Sequence, residues 1–445
     1  MRMRTRMRKR QKKAASGSTG MGSSLIVSLV QTTPAIGFNI KKKIPDLKHF
    51  FHDFSDLFRQ APFPLLFCSF TGLLAGVGLS LMTDMLQLLP GLMILIPPAI
   101  AMRGNVYSAL VSRLGTSMHL GLFSTTLKKG NVLYQNVYAS LLLTMILSVI
   151  LGLLAKLMAN VFGMSSISVY GFILISVIGG LISGIALLGI AIAVSIIGYR
   201  RNWNLDNISS PIITSAGDMI TIPTLFLAAI MLQKSPDVFV TILSTSFVFV
   251  AVLCIVKGLK SNDSAIRRIL IESIPMLSLC AILCTFAGIT LDIRLKSLIA
   301  IPAILVIIPP FLGESNALGG ILSARLSSML HIGTIKPQRV PDKLVASNFA
   351  VIYLFSICVF LFVGVLTYAA SIILGISSPS IFEMLSISLL GGVLCTTFLN
   401  FASYYIAILS FRFGLDPDND TIPLITSLTD VVGVFCLLFA MFLIL

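Results

Sequence analysis

The sequence predicts an all-α polytopic membrane protein made of two tandem five-helix repeats in parallel orientation, joined by a connector helix, and three observations carry that prediction. Of the 445 residues, 56% are hydrophobic and 11% charged, too few charges to coat a soluble globule of this size. Apolar runs of about 20 residues recur along the whole length, long enough for helices to cross a bilayer and about twice the length of a barrel strand. The stretch Asp206-Asn207-Ile208-Ser209-Ser210-Pro211-Ile212-Ile213-Thr214-Ser215-Ala216-Gly217-Asp218 returns as Asp418-Asn419-Asp420-Thr421-Ile422-Pro423-Leu424-Ile425-Thr426-Ser427-Leu428-Thr429-Asp430. The register is constant at both Asp, the Pro and the Thr, since 430 − 218 and 418 − 206 are both 212.

Residues 1–43 are rich in Arg and Lys and hold no acid, which reads as a disordered cytoplasmic tail against anionic lipid. Residues 44–60 place Leu47, Phe50, Phe51, Phe54, Leu57 and Phe58 at helical spacing, an amphipathic helix lying in the membrane interface. The first five-helix repeat follows over 61–233, the connector over 234–260 and the second repeat over 261–445, giving about 11 transmembrane helices. The net charge of +15 does not indicate a nucleic-acid partner, because the basic residues lie in the tail or between apolar runs, where they set topology. With the tail inside, Lys128, Lys129, Arg200, Arg201 and Arg412 are cytoplasmic as well, whereas the opposite loops carry Lys156, Lys234, Arg294 and Lys296. The expectation is an N-in, C-out protein of the plasma membrane. The seven cysteines lie mostly inside apolar runs and read as small core residues rather than a disulfide framework.

The offset of 212 extends to Pro97-Pro98 with Pro309-Pro310, Arg113 with Arg325, His119 with His331 and Gly179-Gly180 with Gly391-Gly392. Five spans end on the opposite side from where they start, so an unduplicated connector span returns the chain and lets the second repeat insert in the same orientation. The repeats are then related by an axis along the membrane normal, and a crevice on that axis is the expected site.

An acidic side chain inside a span costs about 2.5–3.5 kcal/mol on insertion scales and marks a functional position. Asp218, Glu314 and Asp430 are the acids that fall clearly within spans. Thr214 and Thr426 each precede an Asp by four residues and share its helix face. Ser210 or Thr421 is placed to cap its helix, with proline in the first turn. Carboxylates and hydroxyls are hard oxygen donors that suit Mg²⁺, Ca²⁺ or Mn²⁺, and Mg²⁺ keeps much of its water in such sites. Asp206, Asn207, Asp418 and Asn419 form a second oxygen-rich cluster at the cytoplasmic mouth, where helix capping is the competing role. The proline pairs are expected to break a span at depth, with Asn105 offering a carbonyl beyond the break. Glu314 has Met102 as its counterpart, so it either adds charge to one half alone or pairs with Arg103.

These residues resemble the MgtE superfamily of magnesium channels and transporters, in the duplicated form of the eukaryotic solute-carrier magnesium transporters. The resemblance rests on P-x5-G-N-x6-S-R-L-G-T-x4-G from Pro98 to Gly121, its weaker echo from Pro310 to Gly333, and D-N-x3-P-x2-T-S-x2-D in both halves. It implies a pore between two five-helix units, with Asp218 and Asp430 matching the pore-lining aspartates that hold hydrated Mg²⁺. Ala317 occupies the register position of Asn105, so the asparagine role is not carried onto Asn316.

The expected function is divalent-cation transport, with Mg²⁺ as the transported ion rather than a cofactor, by a chain that is its own pseudo-dimer and can act as a monomer. Ca²⁺ and Mn²⁺ are the other candidate ions. Two nearby carboxylates titrate as a pair, so acid should weaken ion binding. The alternative within the class is Na⁺- or H⁺-coupled Mg²⁺ exchange. An intramembrane Mg²⁺-dependent enzyme would need one asymmetric metal cluster and a substrate base, whereas here the acidic motif is duplicated; no enzymatic activity is expected.

Overall fold

The computed structural model describes residues 54–119, 121–201, 205–414 and 421–445, without the side chains of Asp56, Gln60, His119 and 205–211. The basic tail and most of the interfacial segment lie outside the described residues, as do Asp418 and Asn419. After one short helix at Ser55–Gln60, five long helices follow: α1 (Pro62–Leu81), α2 (Leu92–His119), α3 (Val132–Val161), α4 (Val169–Arg201) and α5 (Leu205–Lys234). The connector α6 (Asp237–Leu259) leads to α7 (Ser264–Ile293), α8 (Pro302–Ile332), α9 (Lys343–Leu374), α10 (Ile381–Phe413) and α11 (Ile422–Ile444). All eleven are long and apolar enough to cross a membrane.

The repeat holds to the residue in places. α4 and α10 differ by 212 at both ends, as do the short helices Thr83–Leu88 and Leu295–Ala300 that precede α2 and α8. It extends to side chains that tie helices together. Arg113 Nε donates to Asn136 Oδ1 at 2.7 Å, and Arg325 Nε to Asn348 Oδ1 at 3.0 Å, linking α2 to α3 and α8 to α9. Ser176 Oγ donates to the Ser148 carbonyl at 2.7 Å, and Ser388 Oγ to that of Phe360 at 2.6 Å, linking α4 to α3 and α10 to α9. In a bilayer, where apolar burial contributes nothing between helices, such bonds and close backbone contacts carry association.

The proline pairs do not break their helices. Pro97-Pro98 and Pro309-Pro310 lie within continuous α2 and α8, in the second and third turns. Pro98 and Pro310 cannot donate to the carbonyls four residues earlier, those of Ile94 and Val306. Those two carbonyls are met from the other repeat. A Cβ on Gly288 of α7 would lie 2.4 Å from the Ile94 oxygen, and one on Gly76 of α1 would lie 2.0 Å from the Val306 oxygen. The proline frees a carbonyl, and glycine lets another backbone reach it, as in the Cα–H contacts common at helix crossings. The first helix of each repeat is thereby exchanged: α1 packs on α8 and α7 on α2, while each also packs on the last helix of its own repeat, α5 or α11.

The repeats differ where α3 meets α4. A Cβ on Gly180 would fall 1.9 Å from Arg103 Nη2, and one on the equivalent Gly392 would fall 2.1 Å from Phe360 Cδ2. The same notch thus receives Arg103 in the first half and Phe360 in the second. In each half the position of the other occupant holds a small residue, Ser148 at the Phe360 register and Ser315 at the Arg103 register. Arg103 is fully buried and donates to Ser148 Oγ at 2.8 Å. Ser148→Phe is therefore expected to cost about 1–3 kcal/mol by overpacking. Adding Arg103→Ser, which restores the pairing of the second half, should recover most of the loss in a thermal unfolding measurement.

Candidate cation site

α5 begins at Leu205, six residues before Pro211, so this proline is not in the first turn and Ser210 lies inside the helix rather than at its cap. Thirteen residues of helix separate Leu205 from Asp218, about 20 Å of rise. The carboxylate is accordingly near mid-bundle, deeper than the roughly 10 Å counted from Pro211. In α11, Pro423 does occupy the first turn, whereas Thr421 makes no side-chain cap.

Asp218 and Asp430 line one cavity of about 70 Å³, several times the 10–15 Å³ that holds a single water. Thr214 and Thr426 line it with them, as do Asn105 from α2 and Asn316 from α8. The remaining walls are apolar. Of nineteen lining residues, sixteen form pairs 212 apart, including Leu79 with Leu291, Ile96 with Ile308 and Pro97 with Pro309. The cavity therefore lies on the pseudo-two-fold axis between the repeats, and the proline pairs form part of its wall.

The polar groups are held in different ways. Asn316 Nδ2 donates to Asp430 Oδ1 at 2.7 Å, and the Cys284 thiol approaches Oδ2 at 3.4 Å. Asp430 is 5% exposed, while Asp218 is half-buried and has no side-chain hydrogen bond among the described residues. Thr426 donates its hydroxyl proton to the Pro423 carbonyl at 3.1 Å, leaving oxygen lone pairs for a ligand. The Asn105 amide nitrogen is buried without a hydrogen-bond partner among the described residues. Cys68 of α1 also lines the cavity. Its sulfur and Asp218 Oδ2 would lie 3.2 and 3.4 Å from a Cβ on Gly313, so both crowd onto bare backbone of α8.

Glu314 and Arg103 do not pair. Glu314 is fully buried off the cavity wall and accepts a hydrogen bond from Ser69 of α1. Arg103 turns the opposite way, toward Ser148 and the Ser176 carbonyl. The two positions are adjacent in repeat register, since 103 + 212 is 315, but one residue of helix rotates the side chain by about 100°. His331 makes a hydrogen bond within its own helix to the Ser327 carbonyl and stands edge-on to Phe411. Among the described residues no three of His, Cys, Asp and Glu gather closely enough to enclose a bare metal ion. None of the seven cysteines forms a disulfide. Asp206 and Asn207 lie on α5, and their side chains are outside the description, as are Asp418 and Asn419 altogether.

Sequence reasoning missed Asn316 and the two thiols. Asn316 is one residue out of register with Asn105, and strict register pointed to Ala317. Cys284 carries no repeat signal, because it corresponds to Gly72, and Cys68, which is in register with Cys280, reads only as a small core residue.

Comparison with known proteins places this chain in a family. The family described as MgtE, divalent cation transporter, matches residues 96–228 and 308–440, two regions again 212 apart. Solute carrier family 41 member 3 of Mus musculus is 27% identical over 397 residues, covering 83% of this chain and 80% of the relative. Member 2 of Xenopus laevis is 24% identical over 410 residues (83% and 69%), and member 2 of Homo sapiens 24% over 397 residues (83% and 67%). No solved structure matches. With its two matched regions together spanning more than half of its length, the chain belongs to the MgtE family of divalent cation transporters.

Proposed function

We propose that the protein carries Mg²⁺ across a membrane through the cavity between its repeats, with Asp218 and Asp430 as paired ligands of a largely hydrated ion. The observation that carries this reading is the pair of carboxylates facing one cavity on the pseudo-two-fold axis. Threonine hydroxyls and the Asn105 amide complete a hard, oxygen-dominated surround, and the cavity is roomy enough for an ion that keeps part of its water. Apolar walls on all other sides suit passage better than permanent retention. The chain supplies both units of the site, so a monomer is sufficient. We place the N-terminus in the cytoplasm of a cell bounded by the plasma membrane, from the excess of Lys and Arg in alternate loops. A divalent ion moving inward gains about 4.6 kcal/mol per 100 mV, twice the figure for one elementary charge, so no coupling ion is required.

The test is reconstitution of the purified chain into liposomes loaded with a Mg²⁺-sensitive dye. A Mg²⁺ gradient should produce a dye response at a negative internal potential, with or without a Na⁺ or H⁺ gradient. Flux should fall as pH is lowered, because protonation removes the charge that holds the ion. Flux that appears only with an opposing Na⁺ or H⁺ gradient would replace passive transport by exchange. Absence of flux under every gradient would overturn the proposal.

A further inference from the structure

We infer that the two aspartates do different work, with Asn316 as a positioning residue that fixes Asp430 while Asp218 is left free to follow the ion. This inference rests on the reading of the cavity as the Mg²⁺ site. Both Asp430 oxygens are engaged, one by the Asn316 amide at 2.7 Å and one by the Cys284 thiol at 3.4 Å. A carboxylate only accepts, so the nitrogen end of Asn316 must face it. Asp218 has neither partner. Subtracting 212 shows why: Asn316 corresponds to Gly104 and Cys284 to Gly72.

Gly72 is fixed by its surroundings, since a Cβ there would fall 2.6 Å from the Pro310 Cα, and Gly104 is crowded, since a Cβ there would fall 3.3 Å from Thr214 Cγ2. Around Asp218, of the two places from which a side chain would hold the carboxylate, one is closed by backbone and the other holds no side chain. Asn105, the first-half asparagine, is one helical step away from the Gly104 position and is turned by about 100°. Its amide nitrogen has no hydrogen-bond partner among the described residues. The asymmetry is built in at two separate positions at or beside a cavity whose lining otherwise pairs mostly between the repeats.

A carboxylate locked by two donors is pre-organised and loses little freedom when an ion arrives, whereas a free one must be ordered by the ion itself. Asp430 then sets where the ion rests, and Asp218 swings with it. Removing the Asn316 donor should raise the Mg²⁺ concentration for half-saturation about tenfold, the usual scale for a hydrogen bond to a charged group. The effect should pass entirely through Asp430.

The experiment is a Mg²⁺ titration of the purified full chain, read as the rise of its unfolding temperature with Mg²⁺. Asn316→Ala should shift the titration midpoint about tenfold in the wild-type and Asp218→Asn backgrounds, and not at all in Asp430→Asn. If Asn316→Ala does not fold, the near-isosteric Asn316→Leu, which also lacks the donor, should give the same pattern. An equal shift in all three backgrounds would make Asn316 merely structural and overturn the inference, as would no shift in the wild type. A wild-type chain with no Mg²⁺-dependent stabilisation would overturn the Mg²⁺ site itself, and this inference with it. A Mg²⁺ response that both Asp substitutions weaken but Asn316→Ala leaves untouched would sink this inference alone.

Discussion

Asp218→Ala and Asp430→Ala, made singly, are each expected to remove Mg²⁺-dependent flux from liposomes while the protein still elutes as a folded species. The two halves of that expectation have separate causes. A carboxylate within a span is costly to insert, about 2.5–3.5 kcal/mol, so alanine removes a burden from the fold rather than a support. Asp218 has no hydrogen bond among the described residues, and Asp430 gives up only those to Asn316 and Cys284. For the ion the balance is opposite. In a site walled mainly by aliphatic side chains, losing one of two carboxylates forfeits about 2–5 kcal/mol of charge stabilisation, roughly 30-fold to several-thousand-fold in occupancy. Unchanged flux in both single variants would refute the paired-aspartate site.

Gly76→Ala and Gly288→Ala should destabilise the whole bundle without touching the cavity. Each added methyl would meet a backbone carbonyl oxygen, at 2.0 Å for Val306 and 2.4 Å for Ile94. A side chain in the way can change rotamer; a backbone can move only with its helix. The loss is therefore expected at or above the upper end of ordinary overpacking, about 3 kcal/mol, and seen as a fall in unfolding temperature and folded yield in detergent. Gly189→Ala is the control, because nothing lies within 4 Å of a Cβ there. Equal unfolding temperatures for Gly76→Ala and Gly189→Ala would refute the close crossing of α1 with α8.

Much of this was legible in the sequence, for identifiable reasons. The offset of 212 could be read because prolines, aspartates and threonines stand out in an apolar background, and the helix ends follow it. The pairing of Asp218 with Asp430 on one axis followed from that offset and the parity of the connector. The exchange of α1 and α7 was not legible, because apolar helices of similar composition give no sign of which neighbour they choose. Its marks were glycines, Gly72, Gly76 and Gly288, and glycine is common in membrane helices. The proline pairs misled: a proline removes a hydrogen bond, but whether the helix breaks depends on what meets the freed carbonyl. Asn316 was overlooked because an amide that has moved by one residue falls out of register while still reaching the same cavity.

The exchanged helices also bear on how the chain is made. α1 begins at Pro62 and its main partner α8 at Pro302, 240 residues later. At about 5–20 residues per second, α1 waits in the bilayer for roughly 10–50 s before the surface it fits has been synthesised. Until then its glycine face and Ser69 meet only lipid or α5. The first repeat cannot mature ahead of the second, and the protein is a single folding unit despite being written as two copies. A ribosome stalled before α8 would leave a half-protein with an unsatisfied seam, a natural target for membrane quality control.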